Sequence, residues 1–267
     1  MPDATRILFG HELRHSLRTW LWWVLPIGLM VTLTCALQPA LAKGVLAAKM
    51  DAMPDALRRA FGFANVDFKR PAAYLATNFT TITLSTALFA GLLGAAMIAK
   101  EETLRTAEIL YAQPTSRTRI LVGKAAALAV YALAFPIALA LLSIVTLSAV
   151  AEQTVEIGVI VELFIGATAI AVCFAGIGML VAALVRDKRS ASGATLGAVL
   201  GSYFVGVLSA LDEVVQPLRW LSPYKLAEPA QILVNGTDVA RLGLLVIAGI
   251  GAATIAIAMY KRQDIHA

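Results

Sequence analysis

His11-Glu12-Leu13-Arg14-His15 satisfies the H-E-x-x-H pattern of zinc hydrolases. On a helix the two imidazoles would share a face, with the glutamate as general base for a metal-bound water. That chemistry needs a third protein ligand and a shielded, open coordination position. The only other histidine is His266, in the tail, and no apolar run carries a central Asp or Glu. A membrane-embedded zinc protease is therefore kept only as a third reading. Glu101, Glu102 and Glu108 form a second constellation, in the charged interval from Ala99 to Lys124. Gly123-Lys124 closes that interval, but Ala125 follows and Thr118 stands where a G-x-x-x-x-G-K-S/T loop needs its first glycine. The chain has no loop of this kind to cradle a nucleotide phosphate.

The third constellation is a set of hydroxyl and amide side chains in an apolar run: Thr77, Asn78, Thr80, Thr81, Thr83, Ser85 and Thr86. In lipid such groups bond back to their own helix or face protein or water. Both readings stay open, with Thr77, Asn78, Thr81 and Ser85 marked as the wall of a substrate route. No embedded acid accompanies them except Glu162, near the end of its run, which argues against proton or ion relays.

The elements that position these groups are membrane helices. Of 267 residues, 59% are hydrophobic and 15% charged, and mean hydropathy is +0.78. Soluble domains are nearer 45–50% apolar and about 25% charged. A hydrocarbon core about 30 Å thick takes about 20 helical residues. Six runs qualify: 20–41, 74–98, 122–149, 159–185, 191–211 and 242–259. The expected fold is one all-α transmembrane domain over 1–267, with both termini on the same side. Placing the termini with segments 99–124 and 186–190 gives that side thirteen of the 22 Lys and Arg, against nine opposite. The positive-inside rule makes that side cytoplasmic. It also explains the net charge of +5 without nucleic acid. Cys35 and Cys173 lie in apolar runs and read as small buried hydrophobes.

Residues 5–20 read as an amphipathic helix at the membrane interface, with Arg14 and Arg18 on its polar side. The run after it is too long for a signal-peptide core, so an uncleaved signal-anchor is expected. A short amphipathic helix is expected at 53–61 on the outer side. Gly193, Gly197 and Gly201 form a four-residue repeat that permits close helix packing, within the subunit or across a dimer. Residues 214–221 and 225–234 read as two short outer helices, broken at Ser222-Pro223 and released at the Asn235-Gly236 turn. A re-entrant gate bearing Trp220, Ser222, Pro223 and Tyr224 is expected there.

Within 99–124, Glu101 and Glu102 are expected to open a short amphipathic helix. Leu104, Ala107, Leu110 and Tyr111 give its apolar side, Pro114 stops it, and Ser116 caps the next helix. These residues carry a resemblance. Glu101-Glu102, Thr106-Ala107-Glu108-Ile109-Leu110, Gln113-Pro114-Thr115-Ser116-Arg117 and Gly123-Lys124 resemble the pattern of type-2 ATP-binding-cassette permeases. That pattern reads roughly E-E-x-x-G-T-x-E-x-L-L-x-x-P-x-S-R, then G-K. The likeness covers nearly the whole chain, including Leu221-Ser222-Pro223-Tyr224, and departs at Arg105, where the family has Gly.

The resemblance implies a transport subunit, typically of an exporter, in a prokaryotic inner membrane. It implies two partner ATPases that bind ATP and Mg, and a second permease, identical or paralogous. The permease holds no cofactor of its own and lies among membrane lipid. Glu101, Glu102, Thr106, Glu108, Leu110, Tyr111, Pro114 and Arg117, with Arg14 and Arg18, would form the coupling surface. Glu101-Glu102 also sits one residue short of the E-E-x-x-x-R of membrane prenyl-endopeptidases, and the histidines such sites need are missing. A non-transporting anchor or sensor for an ATPase is the second reading.

Overall fold

The computed structural model describes residues 4–42, 70–103, 117–185, 187–210 and 216–262. Among these residues there is no strand. The helices are α1 (Ala4–Ala36), α2 (Gln38–Ala42), α3 (Pro71–Thr103), α4 (Arg117–Val150), α5 (Ile157–Val185) and α6 (Lys188–Leu208). A 3-10 helix (Gln216–Leu221) follows, then α7 (Pro223–Leu226), α8 (Pro229–Asn235) and α9 (Val239–Arg262). Six of them, α1, α3, α4, α5, α6 and α9, are long and apolar enough to cross a membrane. They answer to the six expected runs. One end of the bundle carries the start of α1, the end of α3 and the start of α4. The other carries the hairpin of the 3-10 helix, α7 and α8.

Three expected boundaries move. The interface helix and the first span are one helix, because nothing between Ala4 and Ala36 stops the hydrogen-bond ladder and Pro26 is accommodated within it. The break comes at Leu37, ahead of Pro39, which has no N–H to continue the ladder. Glu101 and Glu102 do not open a helix: they lie in the last turn of α3, a 33-residue helix about 50 Å long. Ala99, Lys100, Glu101 and Glu102 are all good helix formers, so the span runs on past its apolar part. The hairpin has three short pieces where two were expected, because Pro229 starts a new helix within 225–234. The Asn235-Gly236 turn is present, with Gly236 at φ 74° and its N–H on the Ile232 carbonyl at 2.9 Å. The expected helix at 53–61 lies outside the described residues.

The core is α3 against α5, the most extensive helix pair. Within the apolar stretch, 78% of α3 and 61% of α5 is buried, against 22% for α1, α6 and α9. Lipid gives no hydrophobic drive to helix association, so close packing must hold the pair. Glycine provides it. A Cβ on Gly94 would stand 2.3 Å from the Ala175 carbonyl oxygen, and one on Gly178 would stand 2.0 Å from that of Gly91. The same contact joins α5 to α9, where a Cβ on Gly176 would lie 1.9 Å from the Gly249 oxygen. Phe79 meets Phe164 edge-on at 5.1 Å across α3 and α5, and Phe89 stacks on Phe135 of α4 at 4.6 Å. α1 packs chiefly on α4. α6, with 21 residues the shortest of the six, lies on α3 and α5 with its other side open. Cys35 and Cys173 are buried free thiols.

Candidate functional site

The hydroxyls of α3 divide by face. Thr77 Oγ1 donates to the Tyr74 carbonyl at 2.7 Å, and Asn78 Nδ2 reaches the same oxygen at 3.3 Å. Thr86 donates to Ile82 at 2.7 Å, while Ser85 is buried and Thr81 exposed. A different face, Ala76, Thr80 and Thr83, lines a cleft of about 70 Å³ between α3, α6 and the hairpin. Its other walls are Tyr203, Gly206 and Val207 of α6, and Tyr224, Lys225 and Ala227 to Ala230 of the hairpin. Back-bonding and lining therefore coexist, since Thr83 also donates to the Phe79 carbonyl at 3.1 Å. Thr77, Asn78, Thr81 and Ser85 do not line this cleft. Ala76, Thr80 and Thr83 share a face by their i, i+4, i+7 spacing, but Thr77, Thr81 and Ser85 are spaced alike on another face, so spacing alone does not select the cleft side.

The hairpin closes the cleft with polar and aromatic groups. Pro223 starts α7 behind Ser222. Tyr224 packs on Phe174 at 5.6 Å and edge-on to Tyr203 at 5.7 Å. The Tyr224 phenol and the Ser222 hydroxyl are buried without a hydrogen-bond partner among the described residues. Burial pushes the Tyr224 phenol above its ordinary range, so it stays neutral at physiological pH. Gly206 lets the hairpin reach α6, for a Cβ there would stand 2.5 Å from Ser222 Oγ. Lys225 and Glu228 form a half-buried ion pair at 2.6 Å. Trp220 is exposed and lies beneath two guanidiniums, Arg219 at 5.7 Å and Arg241 at 5.8 Å.

A polar band continues around this end. Arg241 bonds Gln231 and pairs with Asp238 at 2.9 Å, and these residues help line a second cleft of about 310 Å³. Glu162, an acid inside the α5 span, accepts from Thr237 at 3.1 Å and so pins the turn at Gly236. Arg70 grips Glu156 at 2.8 Å, joining the starts of α3 and α5.

At the opposite end, Arg14 and Arg18 are exposed on α1. Glu101 and Glu102 end α3 and Arg117 opens α4. Thr106, Glu108, Leu110, Tyr111 and Pro114 lie outside the described residues. A Cβ on Gly193, Gly197 or Gly201 would meet nothing within 4 Å, so their stripe packs against none of the described residues. Among the described residues no cluster of three or more His, Cys, Asp or Glu could hold a metal. The cleft between the helices is lined by hydroxyls, rings and an ion pair.

A family model described as ABC-2 family transporter protein matches residues 6–265. The chain belongs to the ABC-2 transporter family. No curated protein matches it. As an ABC-2 transporter permease it is a multi-pass membrane transport subunit, and its six spanning-length helices are that family's membrane domain.

Proposed function

We propose that this ABC-2 permease forms half of an ATP-driven exporter, with its substrate passing beside α3 and α6. The observation that carries this is the cleft of Thr80, Thr83, Tyr203, Tyr224, Lys225 and Glu228, set in a permease-family chain. A wall of hydroxyls and rings with one internally neutralised ion pair suits an amphipathic cargo better than a bare ion, whose route is lined by charged side chains or converging carbonyls. The hairpin bearing Trp220, Ser222, Pro223 and Tyr224 acts as the outer gate. Thr77, Asn78 and Thr81 stay with the pathway as the α3 face that turns toward a second permease, with the buried Ser85 behind them. That second permease packs along Gly193, Gly197 and Gly201, where close backbone approach is possible.

Energy enters from separate ATPase subunits, two per assembly, which bind ATP and Mg. They dock on 101–114 through Glu101, Glu102, Thr106, Glu108, Leu110, Tyr111 and Pro114, flanked by Arg117, Arg14 and Arg18. The docking end faces the cytoplasm of a prokaryotic cell and the hairpin end faces outward. Glu108→Lys tests the scheme by reversing one charge at the expected contact. The ATPase should no longer co-purify in mild detergent, and its stimulated turnover should disappear. If both survive the substitution, the docking claim fails. An ATPase that is held but drives no vectorial movement in vesicles would instead mark an anchor or sensor.

A further inference from the structure

A fully buried lysine lies at the end of the bundle away from the cleft. Lys124 of α4 is 1% exposed, and its Nζ donates to the Met97 carbonyl of α3 at 2.8 Å. Glu12 of α1, also buried, stands 3.8 Å away. One ammonium thus joins three helices. A charge inside a membrane protein is costly unless paired and hydrogen-bonded, and it is retained where it has a task. Met97 lies six residues before the end of α3, and Lys124 seven residues after the start of α4. The tie therefore sits about 10 Å from both edges of segment 104–116. Around it Tyr131 donates to the Leu13 carbonyl, and the Trp20 ring tilts against Tyr131 at 6.4 Å. α1 otherwise touches α3 only slightly.

We infer that Lys124 is a positioning residue that fastens the N-terminal half of α1 to the bases of α3 and α4, making the three helices one moving body. Pulling α1 away would part the Lys124–Glu12 pair in a medium of low dielectric, where separating opposite charges is costly. The joint that opens is then on the α6 side, where no buried ion pair crosses the cleft among the described residues. The inference rests on the permease reading for what drives the motion, but the tie itself does not depend on it.

Spin labels on the full permease with its ATPase test this without a known substrate. Cys35 and Cys173 are first replaced by alanine. One label pair, Thr19→Cys with Arg119→Cys, spans α1 and α4, and a second, Leu196→Cys with Arg119→Cys, spans α6 and α4. All three positions are exposed. Trapping with ATP and vanadate should leave the α1–α4 distance unchanged and shift the α6–α4 distance. Lys124→Met should broaden the α1–α4 distribution with or without nucleotide, and Lys124→Arg, which keeps the charge and the donors, should leave it narrow. E12L with K124M, which removes both members of the pair, should stay folded and remain broad. A narrow α1–α4 distribution in Lys124→Met or in E12L with K124M would overturn the inference. So would a wild-type α1–α4 shift as large as that of α6, or failure of all the variants to fold. If nucleotide moves neither pair while Lys124→Met still broadens α1–α4, the tie stands and the ATP-driven reading fails.

Discussion

Adding one methyl group at Gly178 should destabilise the permease more than most single changes in its spans. The Cβ of Gly178→Ala would stand 2.0 Å from the Gly91 carbonyl oxygen and 3.1 Å from the Ala95 nitrogen. Carbon–oxygen contacts settle at about 3.3–3.6 Å, so the overlap exceeds about 1 Å. Helix backbones do not bend away locally, and α3 and α5 must part by about that much. A gap of 0.5–1 Å removes a quarter to a half of a contact worth about 0.1–0.2 kcal/mol. Taking about fifty atom pairs near the glycine gives about 1–5 kcal/mol, and measured overpacking of about 1–3 kcal/mol sets the expectation near 3. For a chain of this size that lowers Tm by about 5–10 °C. The assay is thermal unfolding of the purified monomer in mild detergent, followed by tryptophan fluorescence. Gly197→Ala is the control, because its Cβ would meet nothing within 4 Å. It should unfold at the wild-type temperature or slightly above, given the better helix propensity of alanine. A wild-type Tm for Gly178→Ala beside a lowered Tm for Gly197→Ala would refute this account of the packing.

Two further outcomes follow from polar groups outside the spans. Tyr224→Phe removes a buried hydroxyl that has no partner among the described residues, so stability should hold or rise by up to about 1 kcal/mol, read in the same melt. Asp187 caps α6 by accepting from the Ser190 N–H at 2.8 Å, and that bond holds its carboxyl below the ordinary 3.8. Since the folded pKa is the lower one, the cap contributes fully above the ordinary value and is lost as pH falls through the lowered one. Hydrogen exchange in the first turn of α6, corrected for intrinsic rates, should speed up over that acid window. Asp187→Asn, which caps without titrating, should abolish the pH step.

The spans were legible because each is an apolar run of the length a bilayer requires, and hydropathy alone separates them. Their ends were less so, for apolarity marks the membrane and not the helix: Lys100 to Thr103 prolong α3 as readily as leucines would. The glycines show the deeper difficulty. Gly193, Gly197 and Gly201 make a visible four-residue stripe, but a stripe on one helix says nothing about whether a neighbour arrives. The contacts at Gly94, Gly176, Gly178 and Gly249 need two helices each, at spacings with no repeat. The cleft face of α3 was hidden for a related reason, since hydroxyls occur on every side of that helix and give no polar contrast. Lys124 looked like the end of a charged interval, and only the arrival of α1 and α3 around it makes it a buried group.

The 21 residues of α6 have a consequence for the lipid itself. At about 1.5 Å each they reach about 31 Å, barely the hydrocarbon thickness, so this helix has no length to give up by tilting. α3 and α4, at about 50 Å, can lean and still span. A thicker bilayer must therefore thin locally around α6, wherever neither the other described residues nor a second permease covers it. The acyl-chain length of the surrounding membrane thus bears on this one helix more than on the others, and through it on the cleft that it walls.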